Sequence, residues 1–147
     1  MECALYYVYF RDHPVELVTL LTTDKFYLSK HDLVEYIKLH VPNFSAREQS
    51  IGLTADLNAW YKHISSIVHG QIPGIFPVAV DLADQKVDAE PLGQLVTIYE
   101  RAARVTDGLF KVCLAPIVWN EFTSAAKKQL TKGMSLGQRQ ALGLDRG

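Results

Sequence analysis

The chain has 147 residues, 48% hydrophobic and 21% charged, which is enough apolar material for a packed core without metal or disulfide staples. Its formal net charge of −1 argues against a protein that coats nucleic acid by overall charge, but leaves room for a local cationic site. Cys3 and Cys113 lie in apolar segments without metal-ligand spacing and read as two reduced core thiols.

The first apolar segment, Glu2 to Thr22, carries Leu5, Tyr6, Tyr9 and Phe10, then Val15, Val18, Leu20 and Leu21. It is expected to be helical and to bend near Asp12–His13–Pro14, because proline removes a backbone donor and restricts its predecessor. Ser29 is the expected N-cap of a second helix holding Leu33, Val34, Ile37 and Val41, with Asp32 completing a variant capping box and Pro42 ending it. Asn43 to Gly52 reads as a connection in which Ser45 and Glu48 have capping-box spacing, so a short helical turn is expected to start there.

The third helix, Thr54 to His69, is the most periodic: Leu57, Trp60, Tyr61, Ile64, Ile67 and Val68 recur on one side. Thr54 is its expected N-cap and Gly70 its C′ residue. Gln71 to Glu90, broken by Pro73, Gly74 and Pro77, reads as a long inserted connection with a short extended piece at Val78 and Val80. A long helix starts at Pro91, with Leu92, Leu95, Val96, Tyr99, Ala103, Leu109, Phe110 and Cys113 as one apolar stripe; Pro116 should kink or end it. Trp119 to Leu130 continues as helix, and the glycine-containing stretch 133–147 reads as a flexible tail with one turn at Ser135–Gln138. The expected fold is therefore all-α: a four- to five-helix up-and-down bundle over 1–132, with a long loop between the third and fourth main helices.

At about 100° per residue, Asn58, Lys62, Ser66 and His69 form a polar row opposite Trp60, Ile64 and Ile67. Ser65 lies at the edge of that row and His63 well off it. Such a row suits a phosphodiester: histidine moves a proton, lysine offsets phosphorane charge, and serine and asparagine orient a hydroxyl or phosphate oxygen. On the long helix, Glu100–Arg104 and Arg104–Asp107 have ion-pair spacing. Neither metal-ligand spacing, a phosphate-cradling glycine loop nor a serine-hydrolase elbow occurs, so neither metal nor cofactor is expected.

Residues 64–70, Ile-Ser-Ser-Ile-Val-His-Gly, resemble a helix ending of the HEPN domains of prokaryotic defence and toxin systems. The stretches Tyr6–Tyr7 and His13–Pro14–Val15–Glu16 are also similar to that family, and the helix order is compatible over nearly the whole chain. The resemblance implies a helical bundle, often dimeric, and a metal-independent ribonuclease with an Arg-x(4–6)-His motif. His69 matches the motif histidine and Ser65 the serine of a Ser-x-x-x-His-Gly ending. The sequence departs from the motif at its arginine, since Lys62 or His63 occupies that range. Lysine keeps the charge but not the bidentate fork.

His69, Lys62, Ser65 and Ser66 are thus the expected catalytic group, with Asn58, His63, Arg101 and Arg104 as RNA contacts. The two arginines are candidates to replace the missing guanidinium. The implied protein is an endoribonuclease of an antiviral defence or toxin–antitoxin system, acting as a homodimer or with a defence-complex partner; cytoplasmic residence is the default expectation, since neither a secretory apolar region nor a bilayer-spanning run is read in the sequence. No membrane attachment is expected. The alternative is a catalytically inactive helical scaffold or protein-interaction module.

Overall fold

Pro14 divides the first apolar segment into two helices in the computed structural model, which describes residues 2–24, 26–69 and 89–145. Helix α1 (Glu2–Phe10) buries Leu5, Val8 and Phe10. Helix α2 (Pro14–Thr22) begins with the proline in its first turn, where a missing N–H costs no helix bond, and buries none of its residues. Helix α3 (Lys30–His40) starts at the expected capping box: Ser29 Oγ accepts from the Asp32 amide at 3.2 Å, and the Ser29 amide donates to Asp32 Oδ2 at 3.3 Å. Its inward face is Leu33, Val34 and Ile37.

Two cap expectations are corrected in the next stretch. The connection forms helix α4 (Phe44–Ile51), and α5 (Leu53–Val68) follows after Gly52. Gly52 is both C-cap and N-cap, with a φ of +67° that glycine adopts without strain. Thr54 therefore lies inside α5, and its amide donates to Glu48 Oε2 at 3.2 Å. Glu48 serves the start of α5 instead of closing a box with Ser45.

Helix α6 (Ala89–Leu109) runs into a π-helical turn (Phe110–Leu114), then α7 (Ala115–Val118) and a 3₁₀ turn (Trp119–Glu121). Pro116 falls in the first turn of α7, so it alters the ladder without ending the helical path. Helix α8 (Ser124–Leu130) is capped by Thr123, whose Oγ1 accepts from the Ala126 amide at 3.2 Å.

The expectation of one continuous core stripe on the long helix is also corrected. Val105, Leu109, Val112 and Cys113 are buried, whereas Leu92, Leu95, Val96 and Tyr99 are exposed among the described residues. At 21 residues, α6 outruns α1 and α3, and its C-terminal part is what enters the core.

Residues 133–145, read from sequence as the start of a flexible tail, carry helix α9 (Leu136–Leu142). Ser135 and Gln138 form its capping box, and Gln138 Nε2 reaches the Ser50 carbonyl at 3.5 Å. Gly143 turns the chain at φ +71°, the Leu144 amide donates to the Arg139 carbonyl at 2.8 Å, and Leu142 and Leu144 join the buried cluster. The glycine that looked like a sign of fraying supplies this turn.

All elements among the described residues are helical, as expected, but they are more and shorter than four main helices. One cluster joins Leu5 and Val8 of α1, Leu33 and Ile37 of α3, Leu53 and Leu57 of α5, Val105 and Leu109 of α6, and Leu142. The expected connection at Gln71–Glu90 falls largely on residues 70–88, outside the described residues, as do Gly70, Val78 and Val80. No described helix is long and apolar enough to cross a membrane.

Candidate functional site

Helix α5 presents its polar residues to three different neighbours. Leu53 and Leu57 are buried, and Trp60 donates from Nε1 to the Ile98 carbonyl of α6 at 3.3 Å, which holds the two helices side by side. Asn58 points away from that contact: its Oδ1 accepts from Lys30 Nζ of α3 at 3.0 Å. The same ammonium lies 4.8 Å from the centre of the Tyr61 ring.

Lys62, His63 and Ser66 line an open groove of about 580 Å³ between α5 and α6, opposite Thr97, Ile98 and Arg101. Lys62 is exposed, while His63 and Ser66 are half-buried. Ser66 Oγ donates to the His63 carbonyl at 2.7 Å. That spends its proton on the helix and leaves the oxygen as an acceptor. Arg101 Nη2 of α6 reaches Asp56 Oδ1 of α5 at 3.7 Å, a partly solvated pair that joins the two helices beside the groove.

His69 and Ser65 face elsewhere. They line a second open groove of about 510 Å³ with Cys3, Tyr61, Ile64 and Val68, and Trp60 borders both grooves. His69 is the exposed C-cap of α5, its amide donating to the Ser65 carbonyl at 3.0 Å. The polar row read from the helical period is therefore divided. It runs along the solvent ridge of α5, and residues a few tens of degrees either side of that ridge meet different neighbours. Arg104 is exposed on α6 and lines neither groove.

Asp56 and Ile98 belong to the site and were missed by sequence reading. A signal for Asp56 did exist, since Asp56, Ala59 and His63 recur at i, i+3 and i+7 and form the flank that faces α6. The expected Glu100–Arg104 and Arg104–Asp107 pairs give way to Arg101–Asp56 and to Lys111–Asp107 at 2.6 Å.

Beyond α5, His13 and His40 each donate from Nδ1 to a tyrosine carbonyl four residues back, those of Tyr9 and Tyr36, at 2.9 Å, and stack on the same tyrosine's ring. No group of three or more His, Cys, Asp or Glu placed to hold a metal occurs among the described residues. The two cysteines are not alike: Cys113 is buried, and Cys3 is exposed, contrary to the reading of two core thiols.

Chemically, the α5–α6 groove offers an ammonium, a guanidinium, an imidazole and a hydroxyl oxygen on one accessible surface. These are groups that bind a phosphate and move a proton. Comparison with protein-family models, with curated proteins and with solved structures finds no match.

Proposed function

We propose that the chain is an HEPN-like helical domain that binds RNA in the α5–α6 groove and cleaves its phosphodiester without a metal, with His63 acting in place of His69, the histidine that matches the family motif but lines the other groove. The observation that carries this reading is the convergence of Lys62, His63, Ser66 and Arg101 on one open groove. His63 accepts the proton of a ribose 2′-hydroxyl as that oxygen bonds to phosphorus. The bond from phosphorus to the 5′ oxygen breaks, and Lys62 neutralises the departing oxygen by giving it a proton. Arg101 exchanges Asp56 for a non-bridging phosphate oxygen and stabilises the pentacoordinate charge. The product is a 2′,3′-cyclic phosphate and a free 5′-hydroxyl. A homodimer or a defence assembly is the proposed setting.

Incubation of end-labelled RNA with the purified chain in EDTA tests this reading. Cleavage to cyclic-phosphate ends that is lost in His63→Ala and kept in His69→Ala supports the α5–α6 groove. Loss in His69→Ala alone moves the chemistry to the Cys3-side groove and overturns the assignment to His63. Absence of cleavage by the wild type, with or without its natural assembly, removes the ribonuclease reading.

A second reading, a catalytically silent interaction module, is favoured by two apolar stripes at helical spacing. Val15, Val18 and Leu21 are exposed on α2, and Leu92, Leu95, Val96 and Tyr99 on α6. It predicts that Val18→Glu or Leu95→Glu abolishes assembly and biological effect, while His63→Ala and His69→Ala leave both intact.

A further inference from the structure

We infer that the cleft between α1 and the α6–α7 stretch binds a small elongated apolar molecule with an acidic head group, and that Arg11 receives the head. The inference is independent of the RNA reading, because no residue of this cleft lines the α5–α6 groove.

The cleft has a volume of about 390 Å³ and is walled by carbon along most of its length. That is within the usual range for small-molecule sites, which are concave, mainly apolar and carry few polar groups. One wall is Ala4, Tyr7 and Val8 of α1, continued at helical spacing by Arg11 in the turn just after it. Ala4 is the small residue there, and its short side chain leaves depth that a larger one would fill. The opposite wall includes Phe110, Leu114 and Ile117.

The backbone of that wall is not ordinary helix. Phe110 and Leu114 are the first and last residues of the π-helical turn, and both line the cleft while Val112 and Cys113 between them are buried. The wider turn thus splits its side chains between core and cleft, and π-helical turns recur at functional sites. Tyr7 and Ile117 are 62% and 54% exposed although both line the cleft, so apolar surface remains in water that an apolar guest would cover.

Arg11 supplies the only charge in the lining among the described residues and stands just beyond the C-terminal end of α1. Its Nε and Nη2 hold the Asp12 carboxylate at 3.1 and 3.0 Å, and Asp12 also accepts from the Tyr36 hydroxyl at 3.1 Å. The pair leaves Nη1 as the guanidinium nitrogen not bonded to Asp12. A carboxylate head at Nη1 completes a bridge in which one guanidinium serves two carboxylates.

Isothermal titration of the full chain with dodecanoate, kept below its micelle-forming concentration, tests this, with dodecanol as the uncharged comparison. Saturable binding of one dodecanoate per chain is expected, weaker by about tenfold or more in Ala4→Trp, which fills the cleft. Ile117→Asp, at the exposed mouth, should weaken it as well and does not depend on repacking around Ala4. Dodecanol should bind several-fold more weakly than dodecanoate, and Arg11→Gln should erase the difference. Absence of saturable binding, or binding unchanged in both cleft variants, overturns the site. Equal binding of dodecanol and dodecanoate by the wild type overturns the acidic head. Unchanged RNA binding in Ile117→Asp separates this result from the fate of the α5–α6 groove.

Discussion

Arg47 of α4 donates through Nη1 to the carbonyl of Val112 at 3.3 Å, four residues before Pro116. A proline nitrogen cannot donate to the carbonyl four residues behind it, so the α-helical ladder loses its bond at Val112. The π-helical turn and the Arg47 bond both sit at that break. Burial lowers the Arg47 pKa from its usual value, as expected for a cation drawn into the core's edge to reach this carbonyl. Arg47→Met should cost about 1–3 kcal/mol in urea unfolding, the range for leaving a buried acceptor without its donor. Arg47→Lys should recover part of that loss. Unchanged stability in Arg47→Met would mean that the ladder closes at Val112 by itself.

Gly93 and Gly108 lie on the same helix, and alanine should act on them with opposite signs. A Cβ added at Gly93 meets nothing within 4 Å, so Gly93→Ala should gain up to about 1 kcal/mol from helix propensity and a stiffer unfolded chain. A Cβ added at Gly108 comes to 2.9 Å from Leu53 Cδ1 and 3.4 Å from Ile51 Cδ1, and Leu53 is itself buried. Overpacking of that kind costs about 1–3 kcal/mol, which should outweigh the propensity gain and leave Gly108→Ala destabilised. Thermal unfolding of the two variants measures both signs, and a stabilised Gly108→Ala would show that Leu53 has room to turn away.

Asp56 competes with any anion for Arg101. The pair is 3.7 Å apart and both side chains are substantially exposed, so Asp56→Asn should change stability by less than about 1 kcal/mol. Under the proposed RNA-binding reading its effect belongs to binding: with the carboxylate neutralised, Arg101 is free to turn toward the groove, and RNA affinity should rise several-fold at low salt. The gain should shrink as salt screens the interaction. Fluorescence anisotropy with labelled RNA at two salt concentrations reads it, with Arg101→Ala expected to shift affinity the other way. An Asp56→Asn variant that binds RNA no better would remove Arg101 from the phosphate path.

The start of α3 at its side-chain cap was legible, whereas the start of α8 at Thr123 was not, because Trp119–Leu130 reads as one helix and the structure breaks it after Glu121. Ser29–Asp32 and Ser135–Gln138 are local arrangements within four residues, and sequence spacing is sufficient to read them. The break at Pro14 was legible for the same reason. What depends on distant parts of the chain was not. Leu92 and Val105 lie on one helix, yet the first is exposed and the second buried, because periodicity reports a face and not how far a neighbouring helix extends. Lys62 and His69 share an angular sector of α5, but α6 and the α1 side claim opposite flanks of it, so the two line different grooves. Leu142 and Leu144 follow a glycine-containing stretch, and their burial depends on α4, which Gln138 meets at Ser50 across 88 residues of sequence.

The two thiols should report on the fold separately. Burial pushes the Cys113 pKa from 9.0 up to about 12, while the Arg47 charge acts in the opposite, weaker sense. The thiolate is the reactive form, so at mild pH an aromatic disulfide reagent should modify the exposed Cys3 at once and Cys113 only when the core opens. The same shift makes stability fall in alkali. In the unfolded chain the thiol ionises near its ordinary value, whereas in the folded chain it stays protonated, so the folded state binds more protons between about pH 9 and 12. The contribution is complete below that window and is lost as pH rises through it. Tyr9 and Tyr36, whose pKa values burial also raises, add to the decline with the same sign. Cys113→Ala should therefore unfold with a shallower pH dependence above 9 than the wild type, even though the cavity it leaves at a buried position should lower stability at neutral pH. Equal alkaline slopes in urea titrations would show that the Cys113 thiol ionises as readily in the fold as outside it.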